Sequence, residues 1–374
     1  MGAARFSEFF MLIATLAAGV LAGCVGRPVS AVPGEVAPSI LLPVSAGGIT
    51  DGRGRFREIF KNALSSHRAK PEEGQWNDAA TLWKLRGEPP PTGKPAPTGP
   101  SSGAFRVVIV PGLLAECAAE VTMAFGDARG QLEQIGYKTD YIQTRGRKGS
   151  DHNADLIRDA AMGMPAGERF IFVTHSKGTV DTLEALVKHP PLAERTAAVV
   201  SFSGAVNGSP LADELPEFFI KLAHALPLSN CPPGEGVEAA NSLRRNVRLA
   251  WLSTHQLPKS VRYYSLAAFT SRENTSRMLR PFYDLLSRTD PVNDSMVICS
   301  DAIIPGSVLL GYPNADHFAV AMPIDKQTSP LLAAAIDKDE YPRAALLEAA
   351  VRFVEEDLRE NGAAALPQPP LAQQ

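Results

Sequence analysis

From Phe105 onward the chain alternates short apolar runs with helical patterns. That alternation restricts it to a mostly parallel sheet covered by helices. Strands are predicted over residues 106–110, 137–143, 169–173, 197–202, 261–269 and 308–312, and helices over 120–135, 154–162, 178–188, 275–287 and 341–358. With 374 residues, 45% of them hydrophobic and 21% charged, the chain can bury a large core as one big domain or two smaller ones. A net charge of -3 offers no basis for a nucleic-acid partner, which needs a clustered basic face.

The N-terminal segment carries an address. Arg5 precedes an apolar run over residues 9–21, which closes on Leu21-Ala22-Gly23-Cys24. The run is short for a membrane span of about 20 residues and reads as a signal peptide ending in a cysteine. It resembles the bacterial lipoprotein lipobox, in which cleavage leaves Cys24 as a lipidated N-terminus. The resemblance implies a protein of the bacterial cell envelope, held to a membrane by a lipid anchor on the periplasmic side or the cell surface. Residues 1–23 are then signal peptide and 24–50, rich in Pro, Ala, Gly and Ser, a tether.

Residues 51–104 read as an accessory N-terminal arm and a Pro/Gly-rich linker, with Phe56, Ile59, Phe60 and Leu64 at helical spacing. The main domain spans 105–360, and 361–374 reads as a disordered tail. Residues 207–260 interrupt the alternation with apolar helical pieces around Cys231-Pro232-Pro233-Gly234, the pattern of a helical cap over a pocket. Phe218, Phe219, Leu222, Leu226 and Trp251 are the apolar residues for its inner surface or for its own core. Beyond Cys24, three cysteines (Cys117, Cys231, Cys299) allow at most one intramolecular disulfide, and the sequence does not choose the pair. No C-x-x-C pair and no His pair at ligand spacing occurs, so no metal site is expected.

The stretch Phe170-Ile171-Phe172-Val173-Thr174-His175-Ser176-Lys177-Gly178-Thr179 places a serine between an apolar run and a helical pattern. A serine hydroxyl is a weak nucleophile, and a sharp strand-to-helix turn exposes it to a base and sets it beside backbone N–H donors. Ser176 is therefore the candidate nucleophile, and the same pattern also fits an ordinary helix N-cap serine. His317, in Asn314-Ala315-Asp316-His317-Phe318 just past the last strand, is the candidate base. His175 is expected to point away from the site. Asp290, Asp294, Asp301 and Asp316 lie ahead of His317. Asp294 is the candidate acid, Asp301 the runner-up, Asp290 a turn former, and Asp316 is too close to His317 to orient its ring. Backbone N–H groups of Lys177, after the nucleophile, and Leu113, in Val110-Pro111-Gly112-Leu113, are the candidate oxyanion donors, because Pro111 has none to give.

On these residues, 105–358 resembles the α/β-hydrolase superfamily of serine esterases and lipases. The nucleophile turn departs from G-x-S-x-G at Thr174, and Asn293-Asp294-Ser295-Met296-Val297 is similar to the lipase N-D-G-x-V segment with Ser295 in place of Gly. The resemblance implies an α/β fold with a mostly parallel central sheet of eight or slightly fewer strands, no cofactor and a covalent acyl-enzyme. The expected function is hydrolysis of carboxylic esters, on a small-molecule or lipid substrate, through Ser176, His317 and Asp294. Thioester hydrolysis or acyl transfer would use the same residues, and a non-catalytic envelope lipoprotein could retain the fold. The Arg145-Gly146-Arg147-Lys148-Gly149-Ser150-Asp151-His152 loop could read an anionic group or remain a solvated surface loop.

Overall fold

In a computed structural model the apolar runs are strands of one sheet. The structure describes residues 48–67, 78–113, 116, 123–214, 237–324 and 330–361. The chain divides into units Met1–Ala37 and Pro38–Gln374, and every described residue belongs to the second. The signal peptide with Cys24, most of the tether, and the tail beyond 361 lie outside the described residues. Among the described residues no helix is long and apolar enough to cross a membrane.

Eight strands form the sheet: β1 (Thr50–Asp51), β2 (Leu82–Trp83), β3 (Phe105–Val110), β4 (Lys138–Tyr141), β5 (Arg169–His175), β6 (Thr196–Phe202), β7 (Arg262–Leu266) and β8 (Val308–Pro313). Their order is β1-β8-β7-β6-β5-β3-β4, every neighbour parallel, with β2 antiparallel on β8. The central strands are apolar on consecutive positions because both faces are covered. Val107, Ile109, Ile171 and Val173 face one core with α1 (Arg53–His67), α2 (Gly126–Gln134) and, through Leu346 and Val351, the helix Arg343–Glu360. Val108, Val110, Phe170 and Phe172 face the other, with Ile157 of α3 (Ser150–Met162) and Leu183 and Leu186 of α4 (Lys177–Lys188). Two further helices, α5 (Arg245–Thr254) and α6 (Arg280–Leu286), precede Arg343–Glu360, which is α7. The helix predicted over 275–287 starts only at Arg280, because Pro281 has no N–H to donate and suits the first turn.

The segment over 51–104 differs from an accessory arm. β1 pairs with β8 in register Thr50↔Val308, so it is an edge of the main sheet. Phe56, Ile59 and Phe60 are buried in the same core as α7, and the Phe56 ring meets Phe353 edge-on at 6.2 Å. Trp83 of β2 stacks on Phe269 at 5.3 Å and donates its indole N–H to the Phe269 carbonyl at 2.9 Å. The Pro/Gly-rich stretch is tied down as well, since Glu58 accepts the Gly93 N–H at 2.6 Å and Arg352 donates to the Gly99 carbonyl at 2.9 Å. Two-residue strands are too short to show a period, which is why the sequence pattern left them out.

Of the 207–260 insertion, the helical pieces Pro210–Glu214, Val237–Ser242 and α5 are described, while Phe218, Phe219, Leu222 and Leu226 lie outside the described residues. Trp251 packs on the second core, under the Arg248 guanidinium at 4.5 Å and beside the His255 ring at 4.8 Å. It is half-buried against the edge of that core.

Truncating Phe56 to Ala removes a fully buried ring from the shared core and should cost about 3–5 kcal/mol. Urea denaturation should show the midpoint of the single main transition falling; an unchanged midpoint would mean the segment is separable from the domain.

Candidate active site

The turn that carries Ser176 is built by close backbone approach. Ser176 lies between β5 and α4 with φ 54° and ψ -127°, a positive-φ backbone that costs a residue with a Cβ of order 1–3 kcal/mol. Neighbours hold it there: its N–H donates to the Phe202 carbonyl at 3.2 Å, and its carbonyl accepts from Thr179 at 3.1 Å and Ala205 at 3.3 Å. A Cβ on Gly178 would lie 2.3 Å from the Pro111 carbonyl oxygen, and one on Gly112 would lie 2.7 Å from the Ser176 Cβ. Only glycines let the 110–113 loop, β5 and α4 meet.

The Thr174 hydroxyl joins a buried cluster of hydroxyls beside the turn. It pairs with Thr179 Oγ1 at 2.8 Å, which pairs in turn with Ser201 Oγ at 3.1 Å. A Cβ on Gly204 would sit 2.3 Å from that Ser201 oxygen and 2.6 Å from Thr179 Oγ1. Gly204, in the loop after β6, thus lies directly against that hydroxyl cluster.

His317 follows β8, and its Nε2 lies 2.8 Å from Ser176 Oγ. Its Nδ1 lies 2.7 Å from Asp294 Oδ2. A carboxylate only accepts, so Nδ1 carries the hydrogen and Nε2 is left to accept from the serine hydroxyl. The other Asp294 oxygen accepts the N–H groups of Met296 at 2.9 Å and Val297 at 2.7 Å, and the His317 N–H donates to the Asp294 carbonyl at 2.8 Å. All three side chains are buried, Ser176 the most open at 9%. Ser295 takes φ 81°, the region that favours glycine, and this is the physical reason the N-D-G-x-V pattern has Gly at that place.

The remaining aspartates are engaged elsewhere. Asp301 pairs with Arg245 at 3.1 Å and with Asn207 at 3.3 Å, and burial pushes its carboxyl up. Asp290 accepts the Val292 N–H at 2.8 Å, as a turn former does. Asp316 caps its own loop, accepting from Ala319 at 2.9 Å and from the Ser276 N–H at 2.8 Å. Lys177 is the first residue of α4, so its N–H is one of the helix's orphan donors, beside Ser176. Leu113 follows Gly112, whose backbone lies against the Ser176 side chain. Cys299 is buried and free, its thiol raised by burial, while Cys117 and Cys231 lie outside the described residues. Among the described residues no three His, Cys, Asp or Glu gather as a metal site requires.

The residue that sequence reasoning missed is His175. It does not point away: its ring lies 4.7 Å from the His317 ring, and its Nε2–H donates to the His317 carbonyl at 2.9 Å. Its Nδ1 has no hydrogen-bond partner among the described residues. Complete burial, then the neighbouring His317, hold it well below the ordinary imidazole value, so the ring stays neutral beside the candidate base.

That neutrality has a measurable sign. The unfolded chain protonates His175 near pH 6.5, the folded chain refuses the proton, and stability therefore falls as pH drops below about 6.5. His175→Gln keeps a donor but cannot titrate. In thermal melts between pH 8 and 5.5 its midpoint should fall less with acid than that of the wild type, and parallel slopes would contradict a neutral buried ring.

No protein-family model matches the chain, and no curated protein matches it. Among solved structures it is similar to the metagenomic carboxyl esterase MGS0156, with 54% identity over 89% of this chain and 100% of that one, and a TM-score of 0.80. It is also similar to the mature form of Bacillus licheniformis lipase BlEst2, at 20% identity over 60% of this chain and 89% of that one, TM-score 0.46. Lipase 1 from Pelosinus fermentans follows at 10% identity over 68% and 98%, TM-score 0.43. With more than half of its residues shared over nearly its whole length with the first of these, and with this sheet order, the chain belongs to the carboxyl esterase family of α/β hydrolases.

Proposed function

We propose that the protein is a lipid-anchored serine hydrolase that cleaves carboxylic esters through Ser176, His317 and Asp294. The observation that carries the reading is the unbroken line from Asp294 Oδ2 to His317 to Ser176 Oγ, at 2.7 and 2.8 Å, ending on a serine held at positive φ. The likeness to a carboxyl esterase supports the bond type. In the reaction Ser176 Oγ attacks the ester carbonyl carbon while His317 Nε2 takes its proton. The oxyanion is met by the N–H groups of Lys177 and Leu113. His317 returns the proton to the leaving alcohol, leaving an acyl-Ser176, and water activated by His317 then releases the acid. Asp294 holds the His317 tautomer and faces the imidazolium that forms. Lipidation at Cys24 would place this chemistry at a membrane surface of the cell envelope, within reach of lipid esters as well as small ones.

A fluorophosphonate probe should label the wild type at Ser176, and Ser176→Ala should lose both labelling and about 10⁴-fold or more of its rate on p-nitrophenyl esters. Asp294→Asn should lose about 10⁴-fold. Near-full activity in either variant would sink the assignment. In a bacterial host, Cys24→Ser should abolish incorporation of labelled palmitate and release the protein from membranes; retained label would remove the anchor from the proposal.

A further inference from the structure

We propose that Glu116 is a positioning residue, and that the basic loop after β4 exists to receive its carboxylate rather than a substrate anion. The inference rests on the function proposed above, because it concerns the two oxyanion donors. The N–H of Gly146 donates to Glu116 Oε2 at 2.8 Å and that of Arg147 to Oε1 at 3.2 Å, while the Arg147 guanidinium stands 3.5 Å away, 4% exposed. The two adjacent N–H groups form an anion-binding concavity, and an internal carboxylate fills it.

That concavity is itself anchored to the nucleophile helix. Asn153 accepts the Arg145 N–H at 3.0 Å and donates to the Arg145 carbonyl at 2.9 Å, and its amide also donates to Asp181 Oδ2 at 2.7 Å. Asp181 receives the Lys177 ammonium at 2.7 and 2.9 Å, in a pair with side chains 1% and 0% exposed. Burying such a pair costs desolvation that a surface pair avoids, so the pair is a stability cost unless it fixes something. The polar chain of which it is part ends beside the two candidate oxyanion donors. Lys177 supplies one candidate oxyanion donor, and Glu116 stands three residues after Leu113, the other. Three residues reach about 10 Å at most, so a seated Glu116 keeps Leu113 within that distance of its own backbone. One polar line, Glu116 to the Arg145–Arg147 turn to Asn153 to Asp181 to Lys177, sets the spacing of both donors.

The test compares Glu116→Ala, the isosteric Glu116→Gln and Asn153→Ala with the full-length wild type. Loosened donors should lower kcat by about 10- to 100-fold with KM within about twofold, since the oxyanion exists only in the transition state. Affinity for a trifluoromethyl ketone should fall by the same factor as kcat/KM, and Glu116→Gln should lie between wild type and Glu116→Ala. The Glu116→Ala/Asn153→Ala double variant should lose less than the product of the single losses, because both cut one line. A folded Glu116→Ala enzyme with wild-type kcat, or with raised KM and unchanged kcat, overturns the proposal. Should the alanine variant fail to fold, the glutamine variant decides by the same readouts. If Ser176 in the wild type takes no fluorophosphonate label, the catalytic reading falls and this one with it; if it labels fully while the Glu116 variants keep wild-type kcat, only this one falls.

Discussion

The positive-φ backbone at Ser176 is the constraint on which the rest of the site depends. A residue with a Cβ held at φ 54° is unfavourable by itself, and it persists only because three elements close on it at once. The loop after β3 presses from one side at Gly112, α4 begins on the other with Gly178 against the Pro111 carbonyl, and β6 receives the Ser176 N–H at Phe202. Each contact uses parallel neighbours of the central sheet, β3, β5 and β6, so the strand order and the exposed serine are one design. A different register of β5 against β6 would remove the Phe202 carbonyl from the Ser176 N–H.

Around that turn the polar groups are buried, and buried polar groups are stable only when paired. Asp294 illustrates the rule: one oxygen is filled by two backbone N–H groups and the other by His317, which leaves the carboxylate ordered and fully shielded from water. His175 solves the converse problem. An imidazole packed against His317 would oppose its charging if it were itself cationic, and complete burial keeps it neutral while its N–H grips the backbone of the base. The base is thus held at both its ring and its carbonyl.

The parts of this arrangement legible in the sequence are the local ones. Val107 to Val110 and Phe170 to Val173 announce buried strands because both faces are apolar, and Ser176 and His317 stand out because each follows a strand, Asp294 because it sits in a turn ahead of an apolar residue, in an order that the geometry brings together. What the sequence hid is non-local. Gly204 leaves room for the hydroxyls of Thr179 and Ser201, the first of which pairs with Thr174, and nothing in the sequence around any of them links these positions. His175 alternates outward by strand period, yet its ring reaches the carbonyl of His317 because that loop folds back over the strand end. β1 and β2 are two residues each, shorter than any period, and their membership in the sheet is set by β8. Asp301 resembled an acid by position alone, and the Arg245 beside it could be seen only in three dimensions.

The pairing of β1 with β8 also fixes when folding can finish. Thr50 lies beside Val308, so the sheet gains its edge strand only after nearly the whole domain has been synthesised. At about 5–20 residues per second the wait is roughly 10–50 s, during which Phe56, Ile59 and Phe60 have no α7 to cover them. The loop closed by that contact is long, so its entropic cost falls at the end of folding rather than at the beginning. A nascent chain of this topology keeps that edge unpaired and its first helix uncovered until its last strand and helix arrive, and an uncovered apolar helix is what a chaperone or protease can still engage.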